Sequence, residues 1–122
     1  MVSSATNLTR NGVSDFLVQR VTAVILALYT LFVTGYLVMN PGLGYEAWVT
    51  WHGSQPMLLF STLAVLSTAA HAWIGMWTIG TDYIREAHVG PRATLFRGLY
   101  QVLCVGVLFL YVAWGLQIFW GL

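Results

Sequence analysis

The chain has no lysine, and its charge is limited to five arginines and four acidic residues among 122. Charged residues make up 7% of the sequence and hydrophobic residues 58%, whereas soluble domains carry about 25% charged residues. A chain this poor in charge cannot cover a water-facing surface, which excludes an ordinary soluble domain. The scattered arginines form no basic face for nucleic acid. The single cysteine, Cys104, excludes an internal disulfide.

Three long apolar runs occupy residues 21–39, 57–79 and 99–120, and no charged residue falls inside them. Each is close to the ~20 residues that a helix needs to cross ~30 Å of hydrocarbon. Helices are required because an open sheet would leave unpaired backbone groups in lipid. Asn40-Pro41-Gly42 and Gly90-Pro91 separate the runs. The sequence therefore predicts one all-α membrane domain over residues 1–122, with three transmembrane helices.

The arginines predict the orientation of these spans. Arg10 and Arg20 precede the first span, and Arg85, Arg92 and Arg97 lie in the connection between the second and third spans. The first connection and the C-terminus carry neither arginine nor lysine. Because basic segments stay on the cytoplasmic side, the N-terminus and the second connection are predicted to be cytoplasmic.

Small and polar residues follow one face of each span, as expected for helices that pack against other helices in lipid. In the second span this face comprises Ser61, Ala64, Thr68, His71, Gly75, Thr78 and Asp82. In the first span it comprises Arg20, Ala23, Ala27, Thr30 and Thr34, and in the third Gly106, Leu110, Ala113 and Gln117. We expect these faces to point inward, with Arg20 and Asp82 at the same membrane boundary.

His71 lies near the middle of the second span, where an ionisable group is costly and indicates function by default. The imidazole is either a neutral hydrogen-bonding group, an axial haem ligand or a step in a proton path. For a haem, His52 and His88 lie outside the spans, and Met76 is on the same helix. A second axial ligand would therefore come from another polypeptide.

Asp82 and Tyr83 end the second span. They are either an interfacial tyrosine beside a surface ion pair or part of a quinone site. A phenol can donate a hydrogen bond to a quinone carbonyl, and a neighbouring carboxylate can pass protons from water.

Two segments resemble a known family. Residues 10–16 (RNGVSDF) and 20–23 (RVTA), with 71–77 (HAWIGMW) and 81–83 (TDY), are similar to the hydrophobic membrane anchors of bacterial succinate dehydrogenase. The resemblance is to the smaller, D-type anchor of cytochrome b556. It extends over chain length, number of spans and orientation.

The resemblance implies a four-subunit complex in the bacterial inner membrane. A flavoprotein and an iron–sulfur subunit on the cytoplasmic face pass electrons from succinate to ubiquinone, and this chain packs with a second anchor subunit into a helical bundle. His71 would be one axial ligand of a shared haem b, with Arg20 near its propionates. Tyr83 and Asp82 would contact the quinone, and the chain would have no catalytic residue of its own. At position 14 this chain has serine, where members of that family can carry histidine.

Two alternatives remain beside this interpretation. A fumarate reductase anchor would run quinol oxidation and often lacks the haem. A structural or proton-conducting membrane protein would use His71 for packing or proton relay. A b-type optical spectrum of the purified complex distinguishes the first interpretation from both.

The arginine distribution generates a topology prediction. A reporter enzyme that is active only in the periplasm should be active when fused after Leu122. A reporter that is active only in the cytoplasm should be active when inserted near Pro91, because basic connections are retained inside. The paired fusions are each other's control. Reversed activities would contradict the predicted orientation.

Overall fold

The computed structural model describes residues Gly12–Gly121 and is helical almost throughout. The five helices are α1 (Gly12–Met39), α2 (Tyr45–Gly53), α3 (Gln55–Tyr83), α4 (Glu86–Val89) and α5 (Ala93–Trp120). Three helices are long and apolar enough to span a membrane: α1 from Val13, α3 and α5. The predicted all-α fold with three spans is confirmed. Each spanning helix is longer than its apolar run, because helical hydrogen bonding continues beyond the apolar residues.

The interruptions between the helices follow local backbone chemistry. Gly42 and Gly90 have φ angles of +82° and +87°, in the region that side chains with a Cβ disfavour. Gly42 follows Pro41 after the end of α1, and Gly90 precedes Pro91 after α4. Ser54 alone separates α2 from α3, and Pro56 lies in the first turn of α3, where its missing N–H costs no helical hydrogen bond.

The second spanning helix, α3, is the centre of the bundle and packs against both α1 and α5. Of its apolar window 33% is buried within the chain, compared with 6% for α1 and for α5. Both packings are antiparallel. Residue numbers that rise along α1 pair with falling numbers along α3, and the same holds between α3 and α5.

The face of α1 that meets α3 is not the small-residue face expected from the sequence. Thr22 is buried and hydrogen-bonds His71, and the Tyr29 hydroxyl lies 2.7 Å from the Ser61 hydroxyl. The Tyr29 ring also meets Phe60 edge-on, with centroids 5.0 Å apart. Exposed positions instead include most of the expected face: Arg20, Ala27, Thr30 and Thr34. Within this chain α1 therefore meets α3 through its hydroxyl-bearing face, and the expected small-residue face does not make this contact.

The expected face of α5 is likewise not the one that meets α3, since Gly106, Leu110, Ala113 and Gln117 are all exposed within this chain. The helix meets α3 through residues that permit close approach. A Cβ added at Gly115 would lie 3.2 Å from Cγ2 of Val65, and one added at Gly80 would lie 3.0 Å from the Tyr100 ring. The absent side chains at these glycines allow the two helices to come together.

The expected face of α3 is confirmed only in part. Ser61 and Ala64 are buried, whereas Thr78 and Asp82 are exposed within this chain. Between them, His71 and Gly75 are partly exposed. The half of α3 nearest α2 is thus closed by its own chain, and the half that ends at Tyr83 is more open.

Aromatic rings gather where α1 ends and α3 begins. Tyr36 stacks on Trp51 with centroids 3.7 Å apart, and the His52 ring lies edge-on to Trp48 at 4.1 Å. Both ring nitrogens of His52 are buried, with no hydrogen-bond partner among the described residues. Burial lowers the pKa of the His52 imidazole, which favours its neutral form. Aromatic side chains at this end match those of a membrane interface.

The α3–α5 contact generates a stability prediction. Gly115→Ala places a methyl group against the β-branched side chain of Val65, which cannot move away freely. Overpacking of this kind costs about 1–3 kcal/mol. We expect the purified complex to unfold at lower denaturant or temperature than the wild type.

Gly98→Ala is the matched control, because an added Cβ there meets nothing within 4 Å. Both substitutions replace glycine by a better helix former on α5. If both variants unfolded at the same denaturant concentration or temperature, the close approach at Gly115 would contribute nothing to the stability.

Candidate functional site

His71 is held near the middle of α3. By helical rise it lies about 24 Å from Gln55 and about 18 Å from Tyr83. Its ring is partly exposed and faces α1 through Nδ1, which lies 3.0 Å from Oγ1 of Thr22. The hydroxyl of Thr22 also lies 2.7 Å from the Val18 carbonyl oxygen one turn earlier. The mid-span imidazole is therefore oriented by a neighbouring helix.

The surroundings of His71 fit a planar cofactor. Thr68 and Gly75 flank it on the same side of α3, three positions before and four after. Thr68 turns its hydroxyl back to the Ala64 carbonyl oxygen at 2.9 Å, and a Cβ added at Gly75 would meet nothing within 4 Å. The imidazole thus has small neighbours and open space beside it, as a planar macrocycle bound through an axial histidine requires.

The other histidines lie away from this position, as the sequence indicates. His52 belongs to α2, enclosed by Trp48 and Trp51, and His88 is exposed on α4. Within Gly12–Gly121, no cluster of three or more His, Cys, Asp or Glu side chains could hold a bare metal ion. His71 is therefore a single potential ligand, and a second axial ligand would have to be supplied from outside these residues.

Asp82 and Tyr83 form the last residues of α3, as predicted, and both side chains are exposed. The Tyr83 side chain is 65% exposed. Directly after it, the Arg97 guanidinium donates to the Ile84 carbonyl oxygen at 3.3 Å, which ties the end of α3 to α5. The phenol and the carboxylate therefore project from an anchored helix end and are available to other molecules.

Arg20 does not lie level with Asp82. The Thr22–His71 contact sets the register of α1 and α3, so Arg20 is about 3 Å along the axis from Thr22, whereas Asp82 is about 16 Å from His71. The expectation of a shared boundary for the two charges was therefore wrong. The Arg20 guanidinium lies 4.7 Å from the Phe16 ring centroid, on a side of α1 turned away from Thr22. Arg20 is at the depth of the imidazole but does not contact it.

Comparison with known proteins identifies the chain. Residues 3–113 match the family model described as succinate dehydrogenase/fumarate reductase transmembrane subunit. The chain belongs to this family.

Two relatives bear the same name, succinate dehydrogenase hydrophobic membrane anchor subunit. The protein of Coxiella burnetii (strain RSA 493 / Nine Mile phase I) is 33% identical over 112 residues, covering 92% of this chain and 91% of its own. That of Rickettsia bellii (strain RML369-C) is 31% identical over 80 residues, covering 65% of this chain and 63% of its own. The resemblance inferred from the two motifs is thus confirmed at the level of the family.

Sequence reasoning about this family member missed the hydroxyl groups that fix its helices. Thr22 lies within the motif at residues 20–23, Tyr29 lies in the first apolar run and Ser61 lies on the small and polar face of the second span, but none of these patterns predicts their partners. A signal was present: Asp15, Thr22 and Tyr29 recur every seven residues, which places them on one face of α1. Asp15 and Thr22 are both buried.

Proposed function

We propose that this transmembrane subunit anchors a succinate:ubiquinone oxidoreductase, the respiratory complex II, in the bacterial inner membrane. It supplies one axial ligand of a haem b through His71 and part of the quinone-reduction site through Tyr83 and Asp82. A second anchor subunit supplies the other axial ligand. A flavoprotein and an iron–sulfur subunit bind at the cytoplasmic face and deliver electrons from succinate.

The observation that carries the proposal is a single oriented imidazole at the middle of a central span, in a member of this family. A histidine at that depth is expensive unless it is used. Its small neighbours Thr68 and Gly75 leave space for a ring system. The bound haem supplies a one-electron redox centre between the two anchor chains. His71 would contribute a nitrogen ligand. Arg20 lies at the same depth but on the side of α1 turned away from Thr22, so its proposed place near the propionates rests on the family resemblance.

The end of α3 suits a quinone. Reduction of a quinone needs a donor to its carbonyl oxygen and two protons from water. The exposed phenol of Tyr83 can provide the hydrogen bond, and the adjacent Asp82 carboxylate can accept and pass on protons. Neither side chain is engaged by a hydrogen bond or ion pair within the described residues, so both remain available to a bound molecule or a partner subunit.

The second anchor subunit would meet faces that this chain leaves open. Ala27, Thr30 and Thr34 on α1 are exposed, and Gly106 and Ala113 on α5 are exposed as well. Small residues allow close helix approach in lipid, where apolar burial does not distinguish a helix from an acyl chain. These faces support a four-helix or larger bundle with the partner.

His71→Ala tests the haem ligand. We expect the variant complex to lose or shift its b-type absorption, because alanine removes the nitrogen donor. The measurement is the dithionite-reduced minus oxidised spectrum of membranes with equal flavin content. His88→Ala is the control, since that imidazole is exposed outside the spans. A wild-type spectrum and midpoint potential in His71→Ala would remove His71 from the iron and favour a structural anchor.

Tyr83→Phe tests the quinone site. The substitution keeps the ring but deletes the donor, and a hydrogen bond lost in a partly desolvated site costs about 1–3 kcal/mol, or one to two decades in rate. We expect succinate–quinone turnover and binding of quinone-site inhibitors to fall. Electron transfer from succinate to a soluble dye that bypasses the quinone should stay normal, since the flavin and iron–sulfur subunits are untouched.

Tyr45→Phe is the matched control, because Tyr45 is also highly exposed but lies at the opposite end of the bundle. It should leave both activities unchanged. A parallel loss of both activities in Tyr83→Phe would indicate destabilisation. Unchanged activities would make Tyr83 an ordinary interfacial tyrosine and move the quinone elsewhere.

A further inference from the structure

We infer that Thr22 is a positioning residue for the haem ligand: its hydroxyl holds the His71 imidazole in the tautomer and orientation that leave Nε2 free for iron. This inference rests on the proposed haem function. It concerns a residue to which neither the sequence motifs nor the family match attach a role. Three geometric facts support it.

The first fact is the number of protons. The Thr22 hydroxyl has one hydrogen and lies 2.7 Å from the Val18 carbonyl oxygen, which can only accept. A second carbonyl, that of Gln19, lies farther away at 3.3 Å. The hydroxyl hydrogen is therefore directed to the α1 backbone, and the Thr22 oxygen has only lone pairs to offer to a third partner.

The second fact is the partner. Nδ1 of His71 lies 3.0 Å from the Thr22 oxygen, within hydrogen-bond distance. Because the threonine oxygen can only accept there, Nδ1 must carry the hydrogen and donate it. A neutral imidazole has one N–H, so Nε2 is then left with a bare lone pair. This is the tautomer that binds a metal through Nε2.

The third fact is the rigidity of the support. Thr22 is buried, with 7% of its surface exposed, and its β-branched side chain has restricted rotation on the helix. The contact joins residues on two different spanning helices, α1 and α3. It therefore orients the ring relative to the bundle rather than to its own helix alone. A hydrogen bond donated by the outer N–H of a ligating imidazole also raises the basicity of the ligand.

The test compares Thr22→Val with Thr22→Ser in the assembled complex. Valine keeps the branched shape and removes the hydroxyl, whereas serine keeps the hydroxyl and removes the methyl group. The readouts are the midpoint potential of the haem, its low-temperature electron paramagnetic resonance g values and the haem content per flavin. Thr50→Val is the control, since this threonine is exposed on α2, outside the spans and far from His71.

We expect Thr22→Val to shift the ferric–ferrous equilibrium toward ferrous iron by about tenfold, a rise of about 59 mV for one electron. The reason is that a less basic ligand stabilises ferric iron less. The g values should change as the ring loses its orientation. Thr22→Ser and Thr50→Val should retain the wild-type potential.

The inference is overturned if Thr22→Val retains the wild-type potential and g values, or if Thr22→Ser behaves like Thr22→Val. Loss of haem in Thr22→Val supports it when serine restores both haem and potential, and overturns it when serine does not. The haem proposal fails separately, through a wild-type spectrum in His71→Ala. If His71→Ala lost its haem while Thr22→Val kept the wild-type potential and g values, only the role of Thr22 would be refuted.

Discussion

The contact between α1 and α3 is the interaction on which the arrangement of this subunit depends. Thr22 meets His71, and Tyr29 meets Ser61 about two turns farther along α1 and about three turns earlier along α3. In lipid the apolar surface of a helix gains little from meeting another helix, because acyl chains solvate it equally well. Two hydroxyl contacts on one face therefore decide how α1 is rotated, although each interhelical hydrogen bond contributes only about 0.6 kcal/mol on average.

The same contact connects architecture to the proposed redox site. Because Thr22 belongs to α1 and His71 to α3, the same hydrogen bond both packs the first two spans together and orients the imidazole. The small residues Thr68 and Gly75 complete the surroundings without filling them. In the proposed function, this chain presents one oriented ligand and a second anchor subunit completes the haem site.

Packing on the other side of α3 follows a different principle. There Gly115 faces Val65 and Gly80 faces Tyr100, and the two helices approach closely because glycine has no side chain. The Trp120 indole N–H adds one donor to the Thr62 hydroxyl at 2.7 Å, at the end where the aromatic rings gather. The central helix α3 is thus joined to α1 by hydroxyl hydrogen bonds and to α5 mainly by close packing at glycines. Its last residues stay exposed, where the quinone is proposed to bind.

The amino-acid sequence by itself determined the three spans, the interruptions at Pro41 and Gly90, the imidazole at mid-span and the tyrosine at the end of the central helix. These features depend on hydropathy, backbone stereochemistry and helical rise, all of which are local. Only the tertiary structure decided which faces of α1 and α5 meet α3, the separation of Arg20 from Asp82, and the pairing of Thr22 with His71. Hydropathy drives a helix into the bilayer but is nearly indifferent to its rotation about its own axis. That rotation is determined by a few directional contacts between residues far apart in the chain.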